Sequence, residues 1–144
     1  MDNKMENKIK HLEMIENIIE RMAKNCFELK GLTITLLVLI ISLAGEQTAK
    51  TILILLIFIP IIFFGVLDAY YLQMERKYKA LYKCVAKKPE NEIDFNMDTS
   101  VDEVKAEGGK RLGLFNCMGS PSISVFYGPV IIVMVIILIL LRVK

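Results

Sequence analysis

The residues that could carry out chemistry are few, and their spacing does not assemble a catalytic or metal site. His11 has no acidic or cysteine partner at ligand spacing, and Cys26, Cys84 and Cys117 match no zinc or redox motif. Asp68 lies next to an apolar run and has no second carboxylate as a proton-transfer partner. We therefore predict that the chain is not an enzyme, that it holds no metal or cofactor, and that His11 is exposed on a helix.

The apolar residues point to a membrane. They make up 54% of the 144 residues, above the roughly 45–50% of ordinary globular chains. The excess lies in three runs without charge, at 31–45, 51–67 and 125–141. A helix of about 17–25 apolar residues spans a bilayer core, so the short first run should place Lys30 and Glu46 at the interfaces. The sequence predicts an all-α membrane protein with three transmembrane helices.

Four segments follow from this pattern. Residues 1–30 are predicted to form a cytoplasmic amphipathic helix, 31–72 a transmembrane hairpin, 73–124 a cytoplasmic helix and loop, and 125–144 the third transmembrane helix with a short external tail. Of the 18 Lys and Arg residues, six precede residue 31, one lies in the hairpin turn, nine lie in 73–124 and two in the tail. Because basic segments stay in the cytoplasm, we expect a cytoplasmic N-terminus and an external C-terminus.

The N-terminal segment has the spacing of an amphipathic helix. Its apolar residues follow one another at steps of three or four: Met5, Ile9, Leu12, Ile15, Ile19, Met22 and Cys26. No Gly or Pro interrupts the pattern before Gly31, so the helix is expected to continue into the first span as one rod. The apolar stripe needs a cover, which is either the membrane surface or the chain's own loop, or other copies of the chain in a homo-oligomer.

A polar stripe runs along the same predicted rod. Arg21, Glu28, Thr35 and Ser42 are seven residues apart and share one face, apart from a drift of about 20° per heptad. Inside a bilayer such a face turns toward protein or water, so in an oligomer it would line a pore. The alternative is that the two hydroxyls bond to carbonyls of their own helix.

One carboxylate lies beside the spans. Asp68 is placed at the cytoplasmic end of the second span, where the hairpin brings it close to the start of the first, so that Lys30 or Lys24 could neutralise it. An ion pair that fixes the hairpin is one interpretation. A gating or ion-selecting carboxylate is the other.

A basic block follows the second span. Its candidate ligand-binding residues are Lys79, Lys83, Lys87 and Lys88, with Tyr78 and Tyr82 between them. Three interpretations of these lysines are open. They reflect membrane topology alone, they attract anionic lipid headgroups, or they bind the phosphates of a ligand whose nucleobases stack on the tyrosines. An acidic segment with seven Asp and Glu residues follows at 90–107.

Several stretches together resemble a group of small bacterial three-span membrane proteins that occur in anti-phage defence loci. The stretches are HLEMIENIIERMAKNCFELKG at 11–31, GVLDAYYLQMERKYKALY at 65–82, IDFNMD at 93–98 and SPSISVFYG at 120–128. Within that group the chain is most similar to the membrane effector of the Hailong system. The block LDAYYLQMER is the most specific part of the resemblance.

The resemblance implies a mechanism. In the Hailong system a nucleotidyltransferase makes short single-stranded DNA oligomers that hold an oligomeric channel closed, and infection releases the channel to depolarise the membrane. It thus implies a tetramer-like homo-oligomer in the bacterial inner membrane, an axial ion path, a cytoplasmic site for the DNA oligomer and a partner nucleotidyltransferase. It assigns no site residue by position.

Two functions from different classes remain open at the level of sequence. The first is an oligomeric ion-channel effector of anti-phage defence, gated from the cytoplasm. The second is a non-conducting membrane scaffold that docks a soluble partner through its N-terminal helix and cytoplasmic loop. A proton-coupled transporter using Asp68 is disfavoured, because three spans leave little room for alternating access.

Overall fold

The protein is built from helices. A computed structural model describes residues 2–43 and 50–143, and no strand occurs among them. The α-helices are α1 (Asp2–Leu43), α2 (Lys50–Lys87), α3 (Asp102–Gly108), α4 (Leu114–Met118) and α5 (Pro121–Val143), with short 3-10 helices at Glu90–Glu92 and Gly109–Leu112. The predicted all-α fold is confirmed for these residues. Glu46 and the predicted hairpin turn up to residue 49 lie outside them.

Three of the helices are long and apolar enough to cross a membrane. The qualifying segments are Asn3–Leu43, Ile54–Lys87 and Pro121–Leu140, which identifies a multi-pass membrane protein. The third span begins at Pro121, four residues before the predicted boundary at 125. Proline suits the first position of a helix because its fixed φ is helical and its missing N–H has no partner to lose there.

Helices α1 and α2 form an antiparallel pair that is much longer than a bilayer is thick. With 42 and 38 residues they extend about 63 Å and about 57 Å, against a hydrocarbon core of roughly 30 Å. Lys8 near the start of α1 donates to the carbonyls of Ala86 and Lys88, at 2.9 and 2.8 Å. These bonds satisfy acceptors that the end of α2 leaves without a helical partner. The helix α1 runs without a break from Asp2 to Leu43, so the N-terminal rod predicted from sequence is one continuous helix.

The described residues form two hydrophobic clusters that follow one another along the pair of long helices. The first joins α1, α2, α4 and α5, with Leu37, Ile57 and Tyr127 among its buried members. The second lies in what we call the polar half, comprising residues 2–29 of α1, 69–87 of α2 and the segment 88–119. Its buried members are Ile15, Ala80, Leu81, Val85 and Val104.

The apolar stripe of α1 is covered largely by the chain itself. Ile15 is fully buried, and Leu12 and Ile19 pack against the same cluster in the polar half. Met5 and Ile9, nearer the N-terminus, stay exposed. The sequence left open whether the membrane, the chain's own loop or other copies of the chain cover this stripe. In the structure, α2, α3 and the loop of the same chain cover its middle, which therefore needs no second copy of the chain.

His11 is buried, contrary to the expectation that it lies on an exposed helix surface. The loop at 93–98 folds over it, so that Nε2 lies 3.2 Å from the carbonyl oxygen of Asn96 and the ring centroid lies 5.3 Å from that of Phe95. Asn96 N–H donates to Asp94 Oδ1, and Asp98 N–H donates to Asn96 Oδ1. These side-chain bonds shape the loop that closes over the imidazole.

Candidate functional site

A buried ion pair joins the first two spans. Lys30 Nζ lies 2.5 Å from Asp68 Oδ2, and the side chains are only 17% and 1% exposed. Lys30 Nζ also donates to the carbonyl of Cys26 at 3.4 Å and faces the Phe126 ring of α5 at 5.9 Å. The pair thus ties α1 to α2 where α5 approaches both. This is the geometry of the hairpin ion pair considered from sequence.

The surroundings of the pair decide what Asp68 can do. Its Oδ1 atom has no hydrogen-bond partner among the described residues. Since the carboxylate is closed off from solvent within one chain, it does not face an open water-filled path there. An ion-selecting role would therefore require Asp68 to become accessible, whereas a hairpin-fixing role needs no further movement.

Within the candidate span, the polar stripe of α1 faces away from α2. On the other side of α1, Cys26 and Lys30 contact Asp68 of α2, and Leu37 is buried in the cluster that α1 shares with α2. Around the helix, Thr35 lies about 200° and Ser42 about 140° from Leu37. Both stripe residues are exposed in the single chain. The stripe is therefore an uncovered face inside a candidate span.

The hydroxyls of this face are partly satisfied by their own helix. Thr35 Oγ1 donates to the carbonyl of Gly31 at 2.9 Å, and Ser42 Oγ donates to that of Val38 at 2.8 Å. Each oxygen keeps lone pairs that can accept from water or contact a cation. A Cβ added at Gly31 would meet nothing within 4 Å. The exposed Val38 and Leu39 flank these hydroxyls, so the face is a narrow polar strip between aliphatic side chains, and at Gly31 it is open to close approach by another helix.

In the polar half, the residues of the same stripe are charged. Arg21 and Glu28 are both exposed, and Glu28 Oε1 lies 3.7 Å from Lys24 Nζ in a solvent-exposed i,i+4 pair. Such a pair contributes at most about 1 kcal/mol to stability, so these side chains are free to rearrange around a ligand or ion.

The predicted ligand-binding lysines are paired within the chain. Lys79 contacts Glu75 at 2.5 Å, Lys83 and Lys87 contact Glu107 at 3.6 and 2.6 Å, and Lys88 contacts Asp94 at 3.6 Å. Tyr78 and Tyr82 are partly buried against the cluster of the polar half. The acidic segment thus folds back onto the basic block, and a phosphate-bearing ligand there would compete with these carboxylates.

The contact between Glu107 and the lysines of the basic block depends on pH. The hydrogen bond from Lys87, together with its charge, lowers the pKa of the Glu107 carboxyl below its ordinary value of 4.5. The stabilisation that the ionised Glu107 carboxylate contributes is therefore complete above that value and is lost as the pH falls through the lower folded-state pKa.

We expect acidification across this range to loosen α3 from α2, which NMR shifts of the α3 amides would report. Glu107→Gln should remove the transition, while Glu103→Gln, at an exposed neighbour, should retain it.

One feature of the structure is missing from the sequence predictions. Arg76 and Arg111, from the basic block and the following loop, line one cavity together with Lys79, Lys83 and Ser120. The pair Ser120-Pro121 signals the start of α5 in the sequence, but nothing in the local pattern places it beside Arg76. Only the tertiary packing of α5 on α2 brings these residues together.

Comparison of the chain with family models, with curated proteins and with solved structures gave no match.

Proposed function

We propose that the protein is a homo-oligomeric ion channel of the bacterial inner membrane in which α1 lines the conduction path. The observation that carries the proposal is the uncovered face of Gly31, Thr35 and Ser42 inside a candidate span, opposite the side that packs on α2. A polar face in a bilayer is stable when it meets protein or water. Copies of α1 around a common axis provide both.

The hairpin suits α1 to the innermost position. Lys30 and Asp68 hold α2 against the side of each α1 that lies opposite Thr35 and Ser42, which is the outer side of the ring, and α5 packs against α1 and α2 through Tyr127 and Ile123. In a ring of chains, α2 and α5 would face the lipid with their exposed aliphatic side chains, while the small residues of α1 would face the axis. Arg21 and Glu28 would then line the mouth of the path on the side of the polar half.

The polar half is where a ligand would bind to open or close the channel. We assign it to the cytoplasm because most Lys and Arg residues lie in it. By the resemblance described above, the channel serves anti-phage defence and a single-stranded DNA oligomer, made by a partner nucleotidyltransferase, holds it closed. A ligand can do so only by the difference between its affinities for the closed and open arrangements.

Ion flux from liposomes tests this function. Ser42→Leu should reduce flux from reconstituted protein to the level of empty liposomes, because leucine adds bulk and removes the hydroxyl at the face proposed to line the path. Ser42→Thr, the matched control, keeps a hydroxyl on the same face and should still conduct. Equal flux from both variants would contradict a path along α1, and copurification of a soluble protein without any flux would favour the scaffold.

A further inference from the structure

A second candidate site lies where α2, the 3-10 helix Gly109–Leu112 and the start of α5 meet. These elements line an open cavity of about 510 Å³. Four of its lining side chains are cationic, namely Arg76, Lys79, Lys83 and Arg111. Glu107 is the acidic residue of the lining. Glu75, outside the lining, pairs with Lys79 at 2.5 Å, so the excess positive charge of the cavity comes from Arg76, Lys83 and Arg111.

That excess is not fully neutralised by the chain. Glu107 lies 2.6 Å from Lys87, outside the lining, and 3.6 Å from Lys83, so Lys87 holds it more closely. Arg76 is held by contacts of its Nη1 atom with the carbonyl of Arg111 at 3.1 Å and with Cys117 Sγ at 3.5 Å. These contacts leave the charge of the guanidinium without an anionic partner among the described residues. Lys83 and Arg76 thus offer donors to an anion.

Ser120 adds a second, independent indication. It lines the same cavity and is 4% exposed, yet its hydroxyl has no hydrogen-bond partner among the described residues. It immediately precedes α5, a helix of 23 residues whose positive dipole end lies here. A buried hydroxyl without a partner beside a helix N-terminus and several cations is chemically suited to an anion with several acceptor oxygens.

The position of the cavity indicates where such an anion would come from. The helix α5 enters its candidate span directly from Pro121. On the neighbouring short helix α4, Phe115 is 86% exposed, and Leu114 closes an apolar groove that is otherwise formed by α2 residues including Phe63 and Tyr70. Tyr70 is also exposed, and an exposed tyrosine close to the start of a span is typical of the bilayer surface, where lipid phosphates lie.

We propose that this cavity binds a phosphate group, supplied by the headgroup of an anionic phospholipid or by free phosphate. Arg76, Lys83 and Arg111 donate to its oxygens, and Ser120 binds at the end of α5. The site does not depend on whether the protein conducts ions. A bound headgroup would connect α2, the loop and α5 at the membrane surface.

Binding to the full chain in a zwitterionic detergent tests the proposal. The probes are dihexanoyl phosphatidic acid, inorganic phosphate and dihexanoylglycerol, which is the same lipid without phosphate. Phosphatidic acid should bind, dihexanoylglycerol should not, and added salt should weaken binding. Displacement by inorganic phosphate at equal concentration would assign the site to free phosphate, whereas preference for the lipid would assign it to a headgroup.

A pair of charge-matched variants makes the test specific. Lys83→Gln with Arg111→Gln should weaken phosphatidic acid binding by about tenfold or more, because two charge-assisted donors are lost. Lys77→Gln with Lys110→Gln removes the same charge from neighbouring positions outside the lining and should change affinity less than about twofold. Lys87 still pairs with Glu107 in the first variant, so the fold should persist, as circular dichroism would verify. Equal affinities of the two variants, equal binding of dihexanoylglycerol, or no binding of either phosphate probe would overturn the proposal, and none of these outcomes bears on ion flux.

Discussion

Replacing Lys30 by methionine is expected to destabilise the folded protein by about 3–5 kcal/mol, because Asp68 would be left as an uncompensated buried charge. The pair lies at 2.5 Å and Asp68 is almost completely buried, so water cannot take over the role of the ammonium group. Methionine keeps most of the apolar stem of lysine and isolates the loss of charge. Unfolding of the purified protein in detergent, followed by circular dichroism, measures the effect.

Two further variants separate the ion pair from other causes. Lys24→Met removes a lysine from an exposed pair with Glu28 on the same helix and should change stability by at most about 1 kcal/mol. Lys30→Met combined with Asp68→Leu replaces both charges by apolar groups and should recover much of the stability lost by Lys30→Met alone. If Lys30→Met were no more harmful than Lys24→Met, the buried pair would not fix the hairpin.

Ile15→Ala is expected to destabilise the polar half by about 2–5 kcal/mol, since it removes most of a fully buried side chain from the cluster and leaves a cavity. Met14→Ala, at the adjacent residue that is 43% exposed, should have a much smaller effect. Hydrogen exchange would show faster opening of residues 2–29 and of the end of α2, with the spans unchanged.

The same variants test what covers the apolar stripe of α1. The structure buries Ile15 against Leu81, Val85 and Val104 of its own chain, so the effect should not depend on protein concentration. Equal exchange in Ile15→Ala and Met14→Ala would contradict this packing, and an effect confined to the oligomer would show that another copy provides the cover.

The parts of the fold that depend on local pattern could be predicted from sequence. The charge-free runs identify all three candidate spans, and the absence of Gly and Pro before Gly31 predicts the continuous helix α1. Because the turn is short, the hairpin also predicts that Lys30 and Asp68 lie at the same end of the spans.

Contacts between distant segments could not be predicted in this way. The bond between His11 and Asn96 joins residues 85 positions apart, and periodicity within α1 contains no information about a loop that closes over it. Likewise, the charge pattern separates the basic block from the acidic segment but does not show that Glu107 turns back to Lys83 and Lys87. The cavity beside Ser120 depends on the packing of α5 and was missed for the same reason.

Accessibility of α1 to a charged reagent tests the central claim most directly. Thr35→Cys and Ile34→Cys would each be placed in a Cys84→Ser background, because Cys26 and Cys117 are already buried. Both positions are exposed in the single chain and lie about 100° apart on the helix. If α1 lines the path, a cationic methanethiosulfonate should stop ion flux through the Thr35→Cys protein and leave flux through the Ile34→Cys protein unchanged. Equal responses of the two proteins, or the absence of flux before the reagent is added, would contradict the account.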